Sequence, residues 1–74
     1  NFSRRYADVM GVSPAKALEA IRVDAARDLL ATSDKSIKVI AGACGFLDDE
    51  RMRRAFLRTV RTTPSEYRKQ FQLI

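Results

Sequence analysis

One stretch, Ser36 to Ser65, limits the fold more than any other part of the chain. Ile37, Ile40, Ala41 and Cys44 recur at helical spacing and run into Gly45-Phe46. Asp48-Asp49-Glu50 then open a second helix carrying Arg51, Arg53, Arg54, Arg58 and Arg61, with no acid among them. Two short helices joined by a tight glycine-containing turn, the second strongly basic, form the pattern of a helix-turn-helix that lays its second helix in the major groove of DNA. The chain has no histidine, so Ser/His/Asp and Cys/His catalytic sets are excluded.

Three breaks divide the sequence. Gly11-Val12-Ser13-Pro14 stops one helix and starts another, with glycine as a left-handed stop, Ser13 as cap and Pro14 in the first helical position. Thr32 to Ser36 is a polar connector whose last residue caps the next helix. Thr63-Pro64-Ser65-Glu66 predicts a capping box formed by Thr63 and Glu66. Every period between the breaks is helical, which predicts an all-α chain with helices to about residue 10, then over 14–32, 36–44, 48–61 and 64–71.

In the 14–32 helix, Leu18, Ile21, Ala25 and Leu29 predict the buried stripe, widened by Ala26 and Leu30. Lys16, Glu19, Asp24, Arg27 and Asp28 form the expected solvated face. Arg22 falls near the apolar arc, where it either lays its stem on the core and snorkels, or pairs with a buried carboxylate or helix-end carbonyls; the alternative to this structural role is a contact with DNA phosphate. In the 48–61 helix, Met52, Phe56 and Val60, with Ala55, face the core. At about 100° per residue, Arg51, Arg54, Arg58 and Arg61 gather on another face. Planar, permanently charged forks suit both phosphates and the O6/N7 edge of guanine. Asp48 reads as the helix cap. Asp49 and Glu50 offset the positive helix end, accept from cytosine N4, or repel wrong sequences.

Composition agrees with this reading. Seventy-four residues make one small domain, and 46% hydrophobic with 31% charged residues is a globular balance. A net charge of +5 favours a polyanionic partner. No apolar run approaches the roughly 20 residues of a membrane span, so no membrane role is expected. The single Cys44 excludes an internal disulfide and reads as a small buried hydrophobe rather than a thiol sensor. With no metal set and no cofactor motif, neither a metal nor a cofactor is expected, and the compartment is read as reducing and cytoplasmic.

The first ten residues echo the later motif. Asn1, Arg4, Arg5 and Asp8 alternate with Phe2, Tyr6 and Val9, and Ser3 to Tyr6 aligns with Arg53 to Phe56, a repeat of about 50 residues ending each time in Ser/Thr-Pro. Gly11-Val12-Ser13-Pro14, the run Ile21 to Leu30, Ile37 with Ile40-Ala41, Cys44-Gly45-Phe46, Arg54-Ala55-Phe56 and Thr63 to Arg68 resemble the AraC/XylS family of bacterial transcription regulators. The resemblance covers essentially the whole chain. It implies a homeodomain-like bundle with two helix-turn-helix motifs: residues 1–13 as the end of a truncated first motif, 14–32 as a linker helix, 36–61 as a complete second motif and 64–74 as a C-terminal helix and tail. It also implies an enzyme-free function, sequence-specific binding of double-stranded DNA in successive major grooves. Asn1, Arg4 and Ser3 then belong to the first reading helix, and Asp49, Glu50, Arg51, Arg53, Arg54 and Leu57 to the second, with Arg58 and Arg61 nearer phosphates. In the full protein the resemblance implies a separate N-terminal sensor and dimerisation domain, RNA polymerase as a partner and a nucleoid-associated place in the cytoplasm. Asp49 to Phe56 also resembles members fused to an amidotransferase-like sensor.

One departure stands out. Where the family carries Leu-Gly before its last Ser-Pro, this chain has Val60-Arg61-Thr62-Thr63-Pro64. A left-handed backbone costs arginine about 1 kcal/mol relative to glycine, so the corner is expected to take another conformation and Arg61 to add a phosphate contact. The rival reading from another class is a basic helical module that binds an acidic protein.

Overall fold

In a computed structural model of the chain, residues 13–72 are described, and they contain four helices and no strand. These are α1 (Pro14–Thr32), α2 (Ile37–Ala43), α3 (Asp49–Thr59) and α4 (Pro64–Phe71). The expected helix over the first ten residues, with its Phe2/Tyr6/Val9 side and the repeat built on it, lies outside the described residues.

Each helix start is set by the residue the sequence places there. Ser13 Oγ accepts from Lys16 N at 3.2 Å, Ser36 Oγ from Val39 N at 3.1 Å, Asp48 Oδ1 from Arg51 N at 2.8 Å and Thr63 Oγ1 from Glu66 N at 3.2 Å. Each bond satisfies one of the donors that a helix start leaves unpaired. At Thr63 only this half of the capping box forms among the described side chains; Glu66 does not return a bond. The far end of α1 is closed by tertiary contacts. Arg68 of α4 donates to the carbonyls of Leu30 (3.3 Å) and Ser33 (3.1 Å), placing a cation on the negative end of the long helix.

One core joins all four helices: Val23, Ala26 and Leu30 from α1, Ile40 and Ala41 from α2, Met52, Ala55 and Phe56 from α3, and Tyr67 from α4. Phe56, Leu30, Ile40 and Met52 are the largest fully buried side chains, each contributing about 1.5–3 kcal/mol by leaving water. Phe56 meets the edge of Tyr67 at 6.1 Å between ring centroids and 75° between planes. Ile40 shares this core, and Phe46 packs against it half-buried.

The buried stripe of α1 differs from the expected one. Ala26 and Leu30 are buried as expected, but Leu18, Ile21 and Leu29 are only half-buried and Ala25 is exposed, while Ala17 and Val23, outside the expected stripe, are buried. At about 100° per residue Leu18, Ile21, Ala25 and Leu29 centre roughly a third of a turn from Val23, Ala26 and Leu30. The helix is apolar over more than half its circumference, so periodicity alone could not choose which arc the other helices cover. Val23 was hidden between Arg22 and Asp24.

The expected solvated face holds at Lys16, Asp24, Arg27 and Asp28, all exposed, and only Glu19 is half-buried. Arg27 Nε donates to Tyr67 Oη at 3.3 Å and its guanidinium lies 5.5 Å from that ring's centroid. That hydrogen bond, more than the neighbouring Asp24, raises the Arg27 pKa. Glu19 pairs across to α3.

Candidate nucleic-acid interface

The turn between α2 and α3 is built on Gly45. Phe46 N donates to Ala41 O at 2.9 Å and Gly45 N to Gly42 O at 3.4 Å, the paired closure of a helix whose next residue is left-handed. Gly45 has φ +89°, a region that side chains rarely enter. The chain then passes Phe46 and the exposed Leu47 before Asp48 caps α3. The buried Met52, at the end of the first turn, then seats α3 on the core.

On α3, Met52, Ala55 and Phe56 are buried. Glu50, Arg54 and Leu57 lie about half a turn away, reckoned at roughly 100° per residue, with Arg53 to one side and Arg51 and Arg58 to the other. Apart from those three buried residues, Asp49 to Thr59 are exposed. One side is therefore packed and rigid, and the other presents charge to solvent.

Glu50 organises that outward side. Its carboxylate accepts two bonds from Arg53, Nε at 3.0 Å and Nη2 at 2.6 Å, and a third from Arg54 Nε at 3.0 Å. These hydrogen bonds, Arg53's first and Arg54's next, pull the Glu50 pKa down to about 2 and raise that of Arg53. The i+3 and i+4 spacing brings the three groups together. Asp49 stays in the first turn beside the cap.

Arg51, Arg54 and Arg58 face α1 across an open cleft of about 290 Å³, whose far wall includes Ala15, Glu19 and Arg22. Arg58 Nη2 lies 2.6 Å from Glu19 Oε2, and this bond raises the Arg58 pKa. Arg51 is held loosely, with Nε 3.9 Å from Asp48 Oδ2. Among the described residues Arg22 has no hydrogen-bond or ion-pair partner: its guanidinium lies over Gly45, where an added Cβ would stand 2.9 Å from Nε.

Arg61 leaves the stripe. Helix α3 ends at Thr59, two residues sooner than expected, and Arg61 occupies the corner beyond it with φ +67°. The corner thus keeps the left-handed form, contrary to expectation. The amides of Val60 and Arg61 both donate to Phe56 O, at 2.7 and 2.9 Å, and that carbonyl holds the strained residue in place.

Cys44 is half-buried against the core, and burial raises its thiol pKa, the behaviour of a packing residue. Asn1, Ser3 and Arg4 lie outside the described residues.

Comparison with known proteins agrees with this geometry. A family model described as a helix-turn-helix domain matches residues 1–70. The HTH-type transcriptional regulator Rv1931c of Mycobacterium tuberculosis is 41% identical over 71 residues, covering 96% of this chain and 27% of that protein. The DNA-binding domain of AdpA, a global transcriptional factor solved in complex with a target DNA, superposes with a TM-score of 0.83 at 37% identity, over 95% of this chain and 63% of that one.

The chain belongs to the AraC-type helix-turn-helix family.

The xylose-binding transcription activator XylR carries the same fold, with a TM-score of 0.80 at 28% identity over 97% of this chain and 19% of its own. This AraC-type domain spans about a quarter of the length of its first curated relative. In it, α2 and α3 are two short helices joined by the tight Gly45 turn. Sequence reasoning found the turn, the cap and the arginines, but missed Glu19 and Ala15 as cleft residues and Glu50 as the group that holds Arg53 and Arg54. The last was legible from its spacing. Glu19 and Arg58, 39 residues apart, gave no local signal.

Proposed function

We propose that this domain binds double-stranded DNA sequence-specifically as part of a bacterial transcription regulator, with α3 as a reading helix in the major groove. The observation that carries the reading is the division of α3: Met52, Ala55 and Phe56 are locked in the core while Arg53, Arg54 and Leu57 project from the opposite side of the same rigid helix. Arg54 stands at the centre of the outward side and reads base edges, where a guanidinium can bond two acceptors of guanine. Leu57, 39% exposed, supplies an apolar contact of the kind a thymine methyl takes. Arg53 and Glu50 flank Arg54, and Asp49 lies beside the phosphate strand at the helix start. Arg51, Arg58 and Arg61 meet phosphates. Their contacts position the helix and make binding salt-dependent.

Asn1 and Arg4 belong to the same reading through the family resemblance, as contacts in a neighbouring groove, with residues 14–32 as the linker between motifs. AdpA, in complex with target DNA, is the relative whose fold supports DNA as partner. A separate sensor and dimerisation domain, RNA polymerase contact and a nucleoid location in the cytoplasm complete the proposal. Among the described residues, no helix is long and apolar enough to cross a membrane.

The experiment is a duplex titration at physiological salt with heparin as competitor. Retention of one selected sequence over scrambled duplex, in heparin that strips the scrambled one, is the expected result. Equal displacement of both would leave only charge and overturn sequence-specific reading.

A further inference from the structure

The cleft between α1 and α3 gathers more positive charge than the helix contact requires. Four guanidiniums, those of Arg22, Arg51, Arg54 and Arg58, line it together with one carboxylate, Glu19. Two of the four are spoken for: Arg58 by Glu19 at 2.6 Å and Arg54 by Glu50 at 3.0 Å. The other two are not. Arg51 has only the 3.9 Å approach to Asp48, and Arg22 makes no hydrogen bond or ion pair among the described residues. Arg22 is nevertheless held, because its side chain crosses from α1 to rest against Gly45. A planar fork that is fixed by packing, with no partner among the described residues, is suited to bidentate binding of a phosphate.

We propose that this cleft is an oxyanion site that seats one phosphate group from the backbone of bound duplex, with Arg22 and Arg51 as its principal ligands and Arg54 and Arg58 at its edges. The site deepens the function proposed above, on which its choice of ligand source rests. Arg58 keeps Glu19 neutralised, so the one carboxylate in the cleft does not repel the incoming phosphate. The open cleft admits a phosphodiester without stripping all its water. Arg22 reaches across from α1, so one phosphate then ties the long helix to the reading helix and fixes the angle at which α3 enters the groove. The contact carries no sequence information of its own.

The test has two arms. In the first, inorganic phosphate is titrated into the free domain against sodium chloride of equal ionic strength, following arginine Nε–Hε resonances. The Arg22 and Arg51 signals should move well before that of Arg53, which Glu50 already holds. In the second, duplex affinity is measured across salt for the parent, Arg22→Gln, Arg22→Lys and Ala15→Glu. Ala15→Glu puts a carboxylate in the cleft from the exposed first turn of α1, where an acid favours the helix. It keeps the test valid if Arg22→Gln fails to fold.

Arg22→Gln and Ala15→Glu should each lower the salt slope by about one unit, so that affinity falls roughly three- to fourfold less between 50 and 200 mM salt. Arg22→Lys should recover most of the slope, and the preferred sequence should be the same in all. A full slope in both variants, with phosphate still moving Arg22 and Arg51, would overturn the duplex backbone as source and assign the cleft to free phosphate. A full slope with no shifts would overturn the site altogether. Loss of all sequence preference by the parent, with the phosphate shifts intact, would count against the proposed function and leave the oxyanion site standing.

Discussion

Arg61→Gly separates the stability of the corner from its charge. Arg61 holds φ +67°, where a Cβ crowds the following carbonyl at a cost of about 1–2 kcal/mol. Glycine removes that cost but enlarges the unfolded ensemble, which returns about 0.4–1 kcal/mol. The net gain is about 0.5–1 kcal/mol, because the backbone geometry and both bonds to Phe56 O are kept. In a domain of this size that is a rise in Tm of roughly 2–8 °C. Arg61→Ala serves as the control, since it removes the same charge yet keeps a Cβ at positive φ, and it should show no such rise. In duplex titrations both variants should lose the same part of the salt slope, up to about one unit. Thermal melts by circular dichroism read the first effect and fluorescence anisotropy across salt the second. If Arg61→Gly melted at or below Arg61→Ala, the corner would not require a left-handed residue, and the strain argument would fail.

Phe56→Ala should cost about 3–5 kcal/mol, a large share of a total of roughly 4–11 kcal/mol for 74 residues, so urea melts should find its midpoint greatly lowered; a midpoint near the parent's would mean Phe56 is not the anchor of α3. Gly42→Ala should stabilise by about 0.5–1 kcal/mol, because Gly42 sits inside α2 and a Cβ there meets nothing within 4 Å, and a lowered melting temperature would refute the open space. Glu50 has a folded pKa depressed to about 2, below its unfolded value, so its stabilisation is full above the unfolded pKa and lost as pH falls from there through about 2. Carboxyl NMR titration should find that midpoint and Arg53→Gln should raise it; an ordinary midpoint in the parent would show that the Arg53 and Arg54 bonds do not form in solution.

Much of this fold was legible because it rests on local chemistry. Ser13, Ser36, Asp48 and Thr63 are short acceptors just ahead of apolar periods, and each caps the helix expected of it. Gly45 stands where a short helix must stop and turn, and the Met52/Phe56 stripe has only one face it can bury. What was hidden depended on distant partners. The buried arc of α1 was decided by which side α2, α3 and α4 cover, since Leu18 and Val23 carry similar apolar surface. Arg27 is exposed as expected, but its contact with Tyr67 depends on where α4 lies. The Arg61 corner was misjudged because the glycine preference was given more weight than the two bonds Phe56 O supplies there. On the interface, the arginine face was visible from spacing, but the cleft needed α1 laid against α3.

The central claim, that α3 reads sequence through Arg54, is tested most directly by binding-site selection from a randomised duplex pool with the parent, Arg54→Ala and Arg58→Ala. The account predicts that Arg54→Ala loses about 1–3 kcal/mol at the parent's preferred site and relaxes choice at one or two base pairs. Arg58→Ala should weaken every sequence alike and leave the choice intact. An Arg54→Ala pool that returns the parent's sequence preference unchanged would contradict the claim.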